Sequence, residues 1–168
     1  MSDAIIIFLD HMERGLCRKV AEAPAGGSVE IWGPGNQTRS FLYVDECVEA
    51  TYRLMQSDFS GPVNIGSDEM ISMNDFAKMI IDISGKDLSI YNLDGKEFEA
   101  KYGHRCPVGV NGRNSDNTLY QEKIDWCVSE PLINGIKETY SWIAERVRKK
   151  EAGEEDNIGL PSVMWGAM

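Results

Sequence analysis

Residues 30–50 read EIWGPGNQTRSFLYVDECVEA, in which two apolar runs flank a glycine-rich turn. The alternating segment Ser28–Trp32 predicts a β-strand, and the Gly-Pro-Gly-Asn sequence at 33–36 predicts a tight turn after it. Ser40–Val44 contains aromatic and β-branched residues and predicts a second strand. Asp45 then stands where a helix N-cap is expected. The stretch therefore predicts strand, turn, strand and helix in that order.

Three segments around this stretch carry apolar residues at the three- and four-residue spacing of a helix face. The first is 9–20, which ends before a loop at 23–27. The second follows Asp45 and fades near Ser57, and the third follows Pro131. The apolar positions are Leu9, Met12, Leu16 and Val20, then Val48, Thr51, Tyr52 and Met55, then Leu132, Ile136, Tyr140, Ile143 and Val147. Each stripe needs an apolar surface to pack against.

The segment 62–93 predicts an α/β unit. Pro62–Gly66 has the pattern of a buried strand, and Ser72 opens a helix as the first residue of a capping box. Gly85 ends that helix, and Leu88–Leu93 has the pattern of the next strand. Because this order is typical of a βαβ crossover, we expect a fold of the α/β class.

The region after this unit lacks a hydrophobic period. Residues 94–112 mix charge, glycine and proline, and a connection of this length is either a functional loop or a disordered one. Asn114–Asp116 can cap a helix that runs to Trp126. The tail at 151–168 is expected to be flexible.

Composition bounds the possible partners. The 168 residues predict about one domain at the usual ~150 residues per domain. A net charge of -10 disfavours nucleic acid and anionic membrane surfaces as partners. The apolar run Ala4–Leu9 is far shorter than the ~20 residues of a membrane span. Because acidic residues flank that run, a secretory signal is not expected, and the chain is interpreted as cytoplasmic.

No metal site is expected. The four cysteines, Cys17, Cys47, Cys106 and Cys127, form no C-x-x-C pair, so reduced thiols are the default. His104 and Cys106 supply two ligands without a partner pair, which favours an isolated polar loop over a metal centre.

Two polar clusters are candidates for binding an anion. The sequence has no G-x-G-x-x-G, P-loop or Tyr-x-x-x-Lys motif, and it lacks the motifs of nucleophilic hydrolysis. Gln37–Arg39 directly follows the turn, and Gly112–Ser115 precedes a predicted helix. Each cluster places a guanidinium beside backbone N–H donors, as a diphosphate requires, and Lys19 is a third candidate cation. The alternative is a surface turn arginine and a simple helix cap.

The stretch at 30–50, with PVNIGSDEM at 62–70 and GRNSDN at 112–117, resembles extended short-chain dehydrogenase/reductases. The likeness covers residues 13–150 and matches the C-terminal, substrate-binding part of that fold, without most of the Rossmann domain. It implies a divergent helix and loop at 1–27. It further implies a substrate domain at 28–150, which includes the last Rossmann-type strand and helix, and a tail at 151–168.

The resemblance is to family members that epimerise a GDP-sugar. In these enzymes NAD transiently oxidises C4 of the sugar, and an acid/base pair then inverts C3 and C5. The family carries NAD and its catalytic Tyr and Lys on the Rossmann domain. The resemblance therefore implies that this chain does not bind NAD alone and that a Rossmann-domain chain or a homo-oligomer is a possible partner.

The resemblance also assigns candidate site residues. The implied contacts to the GDP-sugar are Lys19, Gln37, Thr38, Arg39, Arg113 and Ser162, with Arg113 as a clamp on the diphosphate. One acid/base lysine of the family lies six residues before Cys17, where this chain has His11. Because histidine transfers protons near neutral pH, His11 is the catalytic candidate, with loss of that site as the alternative.

Two departures from the family leave a second hypothesis open. Ser89–Gly103 is an extra stretch, which implies a reshaped substrate loop. Without a Rossmann domain, the stripe of Val48, Tyr52 and Met55 is expected to face water, which is unfavourable by ~25 cal/mol per Å² of apolar surface. The alternative to an epimerase portion is therefore a non-catalytic interaction or scaffold subunit of a larger assembly.

Overall fold

The structure of the chain, a computed structural model, describes residues 14–107 and 109–154. Within them the helices are α1 (Arg14–Glu22), α2 (Val44–Gln56), α3 (Met73–Ser84), α4 (Gly95–Tyr102), α5 (Thr118–Ile124) and α6 (Leu132–Glu151). The strands are β1 (Ser28–Trp32), β2 (Thr38–Ser40), β3 (Met70–Ser72), β4 (Ser89–Leu93) and β5 (Gly112–Arg113). This mixture of helices and short strands confirms the α/β class.

The main core lies where α1, α3 and α6 pack on one another and against β1. Its buried residues are Leu16, Cys17, Val20, Val29, Ile31, Phe41, Met73, Phe76, Ala77, Ile80, Ile81, Leu132, Ile136, Tyr140 and Ile143. The rings of Phe41 and Phe76 stack with their centroids 4.5 Å apart. The predicted stripes of α1 and α6 thus bury each other, as their helical spacing requires.

The strands form two small sheets. β1 pairs in parallel with β4, from Ser28 opposite Ser89 to Trp32 opposite Leu93. In the second sheet β2 is central, antiparallel to β3 and parallel to β5. Residues 33–37 are all that separates β1 from β2. This short turn therefore carries the chain from one sheet to the other.

Two predicted strands are wrong. The second strand comprises Thr38–Ser40 and not Ser40–Val44, because the ladder with β3 extends over those three residues alone. Phe41 and Leu42 are buried but follow the strand. Pro62–Gly66 forms no strand, since no described strand runs beside it to supply ladder hydrogen bonds. The expected βαβ crossover required Pro62–Gly66 as its first strand and is therefore absent. The strands that flank α3, β3 and β4, belong to different sheets.

The boundaries of two helices also differ from the prediction. Tyr43, not Asp45, occupies the N-cap position of α2, and the Asp45 carboxylate lies in the first turn, where the helix dipole favours it. α5 has Asn117 at its N-cap position. It ends before Trp126 because Asp125 adopts a left-handed conformation with φ 53°.

Residues 94–112 contain a helix that hydrophobic periodicity did not indicate. The Asp94 side chain accepts hydrogen bonds from the N–H groups of Lys96 at 2.7 Å and Glu97 at 2.9 Å. The Glu97 carboxylate accepts in return from the N–H of Asp94 at 3.1 Å, which completes a capping box for α4. Phe98 on this helix is fully buried.

The ends of the chain are described in part. α1 is described from Arg14 and ends at Glu22, two residues later than predicted, and α6 continues through Glu151. Leu9 and Met12, the run Ala4–Leu9 and most of the predicted tail lie outside the described residues. Among residues 14–107 and 109–154, no helix combines the length and the apolar character that a bilayer crossing requires.

Replacing the cap of α3 should destabilise the fold. The Ser72 hydroxyl oxygen accepts the N–H of Asp75 at 3.1 Å, as predicted, and Gly85 ends the helix with φ 66°. We expect Ser72→Ala to lower the free energy of unfolding by about 1 kcal/mol in urea titrations followed by circular dichroism. Ser141→Ala, at an exposed position within α6, is the control and should have little effect. Equal effects of the two variants would contradict the capping role.

Candidate functional site

Two arginines from distant parts of the sequence lie side by side on the second sheet. Arg39 on β2 and Arg113 on β5 are register partners in a parallel ladder. Register partners project from the same face of a sheet, and neighbouring strands lie about 5 Å apart. Like charges on register partners repel each other, and a bound anion would offset that repulsion. The pair is therefore suited to a group with two or more negative charges.

Arg39 has a buried donor that lacks an acceptor. Its Nη1 donates to the backbone oxygen of Thr38 at 2.6 Å. Its Nε is buried and has no hydrogen-bond partner among the described residues. A buried N–H without an acceptor is unfavourable, so an oxygen of a bound anion would stabilise this side chain.

The loop before β5 approaches β2 closely, and its glycines permit the approach. The N–H of Thr38 donates to the backbone oxygen of Asn111 at 2.8 Å. A Cβ at Gly112 would lie 3.1 Å from Thr38 Oγ1, and a Cβ at Gly109 would lie 3.4 Å from Nη2 of Arg39. A side chain at Gly109 would therefore crowd the guanidinium of Arg39, and one at Gly112 would crowd the Thr38 side chain on the opposite face of the sheet.

Two asparagines hold the turn that precedes β2 in place through hydrogen bonds. The Asn74 side chain donates to the backbone oxygen of Pro34 at 3.1 Å, and its backbone N–H donates to Gly35 at 2.9 Å. Asn92 donates to Oδ1 of Asn74 at 2.9 Å and to the backbone oxygen of Gly33 at 3.2 Å. Gly35 has φ 70°, and a Cβ there would collide with the Asn74 side chain. No sequence motif pointed to these asparagines, because their partners lie 40 and 59 residues away.

Lys19 lies against the first sheet. Its Nζ donates to the backbone oxygen of Glu30 at 2.9 Å and lies 5.4 Å from the ring centroid of Trp32. Burial lowers the pKa of Lys19; the Glu30 carboxylate opposes this effect, and the nearby Lys101 ammonium adds to it. The candidate ligand contacts thus comprise a half-buried ammonium of α1 beside the first sheet and two guanidinium groups on the second sheet.

An apolar groove of about 1020 Å³ lies between α2 and α6. On α2, Val48, Tyr52 and Met55 are 62%, 58% and 75% exposed, which confirms that this stripe faces water in the described chain. Trp142 of α6 also lines the groove and is exposed. Glu46 of α2 accepts two backbone N–H groups of the loop before α6, at 2.7 and 2.9 Å, and so ties the two walls together.

The cysteines and His104 form no metal site in the part of the chain that the structure describes. No group of three or more His, Cys, Asp or Glu side chains is placed there to hold an ion. All four cysteines are free thiols. Cys106 is buried beside Leu93 and Phe98, and His104 is exposed with its ring 5.3 Å from that of Phe98.

Known epimerases are similar to this chain in sequence. The family described as NAD dependent epimerase/dehydratase matches residues 8–66. The chain is 44% identical over 146 residues to GDP-mannose 3,5-epimerase 1 of Oryza sativa subsp. indica, and 45% identical over 140 residues to GDP-mannose 3,5-epimerase of Arabidopsis thaliana. The chain is thus similar to this family over residues 8–66 and to the two GDP-mannose epimerases over most of its own length. These matches cover 87% and 83% of this chain but 35% and 34% of the relatives, so the chain spans about a third of their length.

Solved structures of epimerases share the fold of this chain. UDP-glucuronic acid 4-epimerase from Bacillus cereus, in complex with UDP-glucuronic acid and NAD, superposes with a TM-score of 0.67 at 23% identity. UDP-glucose 4-epimerase from Thermotoga maritima, with UDP-glucose, superposes with a TM-score of 0.68 at 22% identity. Each match covers 82% of this chain and 40% of the other. The resemblance to extended short-chain dehydrogenase/reductases is thereby confirmed for the fold.

The structure brings most of the sequence-predicted substrate contacts of this chain onto one sheet. On or directly before the strands of the second sheet lie Gln37, Thr38, Arg39 and Arg113. Lys19 is placed against the first sheet instead. His11 and Ser162 lie outside the described residues. The ligand roles of all six substrate contacts, and the catalytic role of His11, stay predictions.

The carboxyl groups of Glu30 and Asp94 should titrate below their ordinary range. Burial alone would raise the pKa of Glu30, but hydrogen bonds from Lys101, Tyr102 and Trp32 outweigh it and lower that pKa. Two backbone N–H groups of α4 lower the pKa of Asp94. Because both pKa values are lower in the folded state, both groups contribute stability above the ordinary carboxyl range. That contribution is lost as pH falls through the folded-state values.

A titration of side-chain carboxyl carbons by ¹³C NMR measures this effect. We expect the midpoints of Glu30 and Asp94 to lie lower in the folded protein than in the urea-unfolded chain. Midpoints that coincide in the two states would contradict the hydrogen bonds that join Glu30 and Asp94 to α4.

Proposed function

We propose that this chain is the substrate-binding portion of a nucleotide-sugar epimerase that acts on a GDP-hexose such as GDP-mannose. The pairing of Arg39 with Arg113, with the unsatisfied Nε of Arg39, carries the proposal. A diphosphate would supply negative charge beside the two guanidinium groups and an oxygen acceptor for Nε of Arg39. The identity of 44–45% to GDP-mannose 3,5-epimerases over most of the chain supports GDP-mannose as the sugar nucleotide.

Each site residue then has a binding role. Arg39 and Arg113 hold the diphosphate from neighbouring strands, which fixes the nucleotide relative to the second sheet. Gln37 and Thr38 offer amide and hydroxyl groups beside them, and the ammonium of Lys19 is a further contact to the anionic ligand. A substrate held at several points presents one orientation of its sugar to the reacting groups. Ser162 is proposed as a further contact to the GDP-sugar, and His11 is proposed as an acid/base residue.

The residues that the structure describes do not fit NAD. The Gly33–Gly35 turn leads into β2 and not into a helix N-terminus, so it offers no cradle for a dinucleotide pyrophosphate. The parallel pairing of β1 with β4 has two strands, without the larger sheet on which such cofactors rest. We assign NAD and the redox chemistry of the family to a cofactor domain outside the described residues.

The apolar groove between α2 and α6 is the proposed docking surface for that cofactor domain. The superposed structure of UDP-glucuronic acid 4-epimerase from Bacillus cereus contains NAD, and this chain covers 40% of that enzyme. Val48, Tyr52 and Met55 expose an apolar helix face of the kind that covers a parallel sheet. At ~25 cal/mol per Å², covering this face would contribute several kcal/mol to the association. The proposed occupant is a Rossmann-type domain, on this or a second polypeptide.

The groove also favours a second candidate function, a non-catalytic interaction or scaffold subunit. Such a subunit would use the face of α2 and α6 but would have no physical need for a paired arginine site. Ligand binding therefore separates the two functions.

The arginine pair is tested by calorimetric titration of the chain with GDP-mannose. We expect Arg113→Ala to weaken binding at least about tenfold, because a charged hydrogen-bond partner of the diphosphate is lost. Arg148→Ala, at an exposed position in the last turn of α6, is the matched control and should bind like the parent. Equal affinity of the Arg113 variant and the parent would overturn the assignment, and a folded parent that binds no GDP-mannose would favour the scaffold function.

The groove is tested by a charged substitution at its most exposed large apolar residue. Because Met55 is 75% exposed, Met55→Lys should change the free energy of unfolding by no more than about 0.5 kcal/mol. The same variant should weaken association with an added cofactor domain, for which the N-terminal domain of the Arabidopsis thaliana relative is the probe. Leu119→Lys, at an exposed apolar position on α5, is the control. If the Met55 and Leu119 variants associate alike, the groove is not the docking face.

A further inference from the structure

Both supports of the Lys19 ammonium lead to one residue, Glu30. The ammonium donates to the backbone oxygen of Glu30 at 2.9 Å and rests 5.4 Å from the ring centroid of Trp32. Trp32 is itself held by Glu30, because its Nε1 donates to Oε1 of that residue at 2.9 Å. The position of Glu30 therefore sets the position of Lys19.

The side chain of Glu30 is in turn held by α4. Oε2 pairs with Nζ of Lys101 at 2.5 Å, and Oε1 accepts the hydroxyl of Tyr102 at 2.9 Å. The Tyr102 ring also lies 5.7 Å from the Trp32 ring, between centroids. With the hydrogen bond from Trp32, the Glu30 carboxylate accepts three hydrogen bonds, which use most of its acceptor capacity.

α4 is fixed well enough to act as a support. Its Phe98 is fully buried in a small second core with Leu93 and Cys106. The Phe98 ring meets Trp32 edge to face at 5.1 Å between centroids. The capping box at Asp94 secures the first turn of the helix. The last turn, with Lys101 and Tyr102, is thus held against the end of β1.

We propose that Lys101 and Tyr102 of α4 are positioning residues for the ammonium of Lys19 in the sugar-nucleotide site. They act through Glu30 and Trp32 and do not themselves contact the ligand. The proposal rests on the proposed function for one step, the contact between Lys19 and the nucleotide. It assigns a purpose to α4, which lies within Ser89–Gly103, the stretch expected to be extra to the family.

The charges around Lys19 agree with this arrangement. The Glu30 carboxylate attracts the ammonium groups of both Lys19 and Lys101, and it offsets the repulsion of Lys19 by Lys101. If Lys101 were removed, the carboxylate would lose its closest cation and would be free to turn toward Lys19. An ammonium paired with Glu30 would then be less available to an anionic ligand.

The test uses variants that keep α4 folded. Tyr102→Phe removes the hydrogen bond to Glu30 and keeps the ring that packs on Phe98 and Trp32. Lys101→Met removes the cation, and Lys101→Arg restores one. Lys96→Met, at an exposed position in the first turn of α4, is the matched control. Unfolding in urea verifies that each variant retains the fold.

Two readouts separate this inference from the proposed function. The first is the ¹H–¹³C NMR signal of the Lys19 side chain in the free protein, which we expect to shift in the Tyr102→Phe and Lys101→Met variants and to stay in place in the Lys96→Met control. The second is the affinity for GDP-mannose, which we expect to fall about five- to tenfold in the same two variants and to recover in Lys101→Arg.

Each outcome decides one of the two proposals. If the Lys19 signal responds as expected but the parent protein binds no GDP-mannose, the positioning role stands and the proposed function fails. If the Lys19 signal is the same in all variants, the positioning role is overturned whatever the affinity. It is also overturned if the parent binds GDP-mannose and the Tyr102→Phe and Lys101→Met variants bind it equally well.

Discussion

The hydrogen bonds of Asn74 and Asn92 to the turn at 33–37 fix the direction in which the chain leaves β1 and enters β2. Asn74 lies in the first turn of α3, and Phe76, two residues further, is fully buried in the main core. The core therefore determines the position of the turn, and the turn determines where Arg39 meets Arg113. On the other side of the same turn, the end of β1 carries the surface on which Lys19 rests. A substitution at either asparagine would act on both halves of the candidate site.

Sequence patterns correctly predicted the elements that are specified by residues close together in the chain. The stripes of α1 and α6 became buried faces, the first strand has its predicted bounds, and Ser72 and Gly85 delimit α3 as expected. A helix satisfies its own backbone, and a cap satisfies donors within one turn, so the information for both lies within a few residues. The positions of these elements could therefore be predicted without knowledge of the fold.

Pairing between distant segments could not be predicted in the same way. Ser40–Val44 and Pro62–Gly66 have strand-like composition, yet a strand exists where a neighbour supplies hydrogen bonds, and composition does not show that neighbour. The two arginine clusters were recognised from their residues, but their direct adjacency follows from the register of β2 with β5. The contacts of Glu30 with Lys101 and Tyr102 span 71 and 72 residues, so no spacing rule indicated them.

The exposed face of α2 and the irregular path of Pro62–Gly66 have one physical cause. A helix of this kind buries its stripe on a sheet, and a buried strand needs parallel neighbours on one or both sides. The described residues supply neither, because β1 and β4 pair with each other and the second sheet is formed from β2, β3 and β5. A single added element, the parallel sheet of a cofactor domain, would meet both requirements at once. An unrelated partner that covered α2 would leave the segment at 62–66 without hydrogen bonds to a neighbouring strand. A cofactor domain is therefore favoured over an unrelated partner.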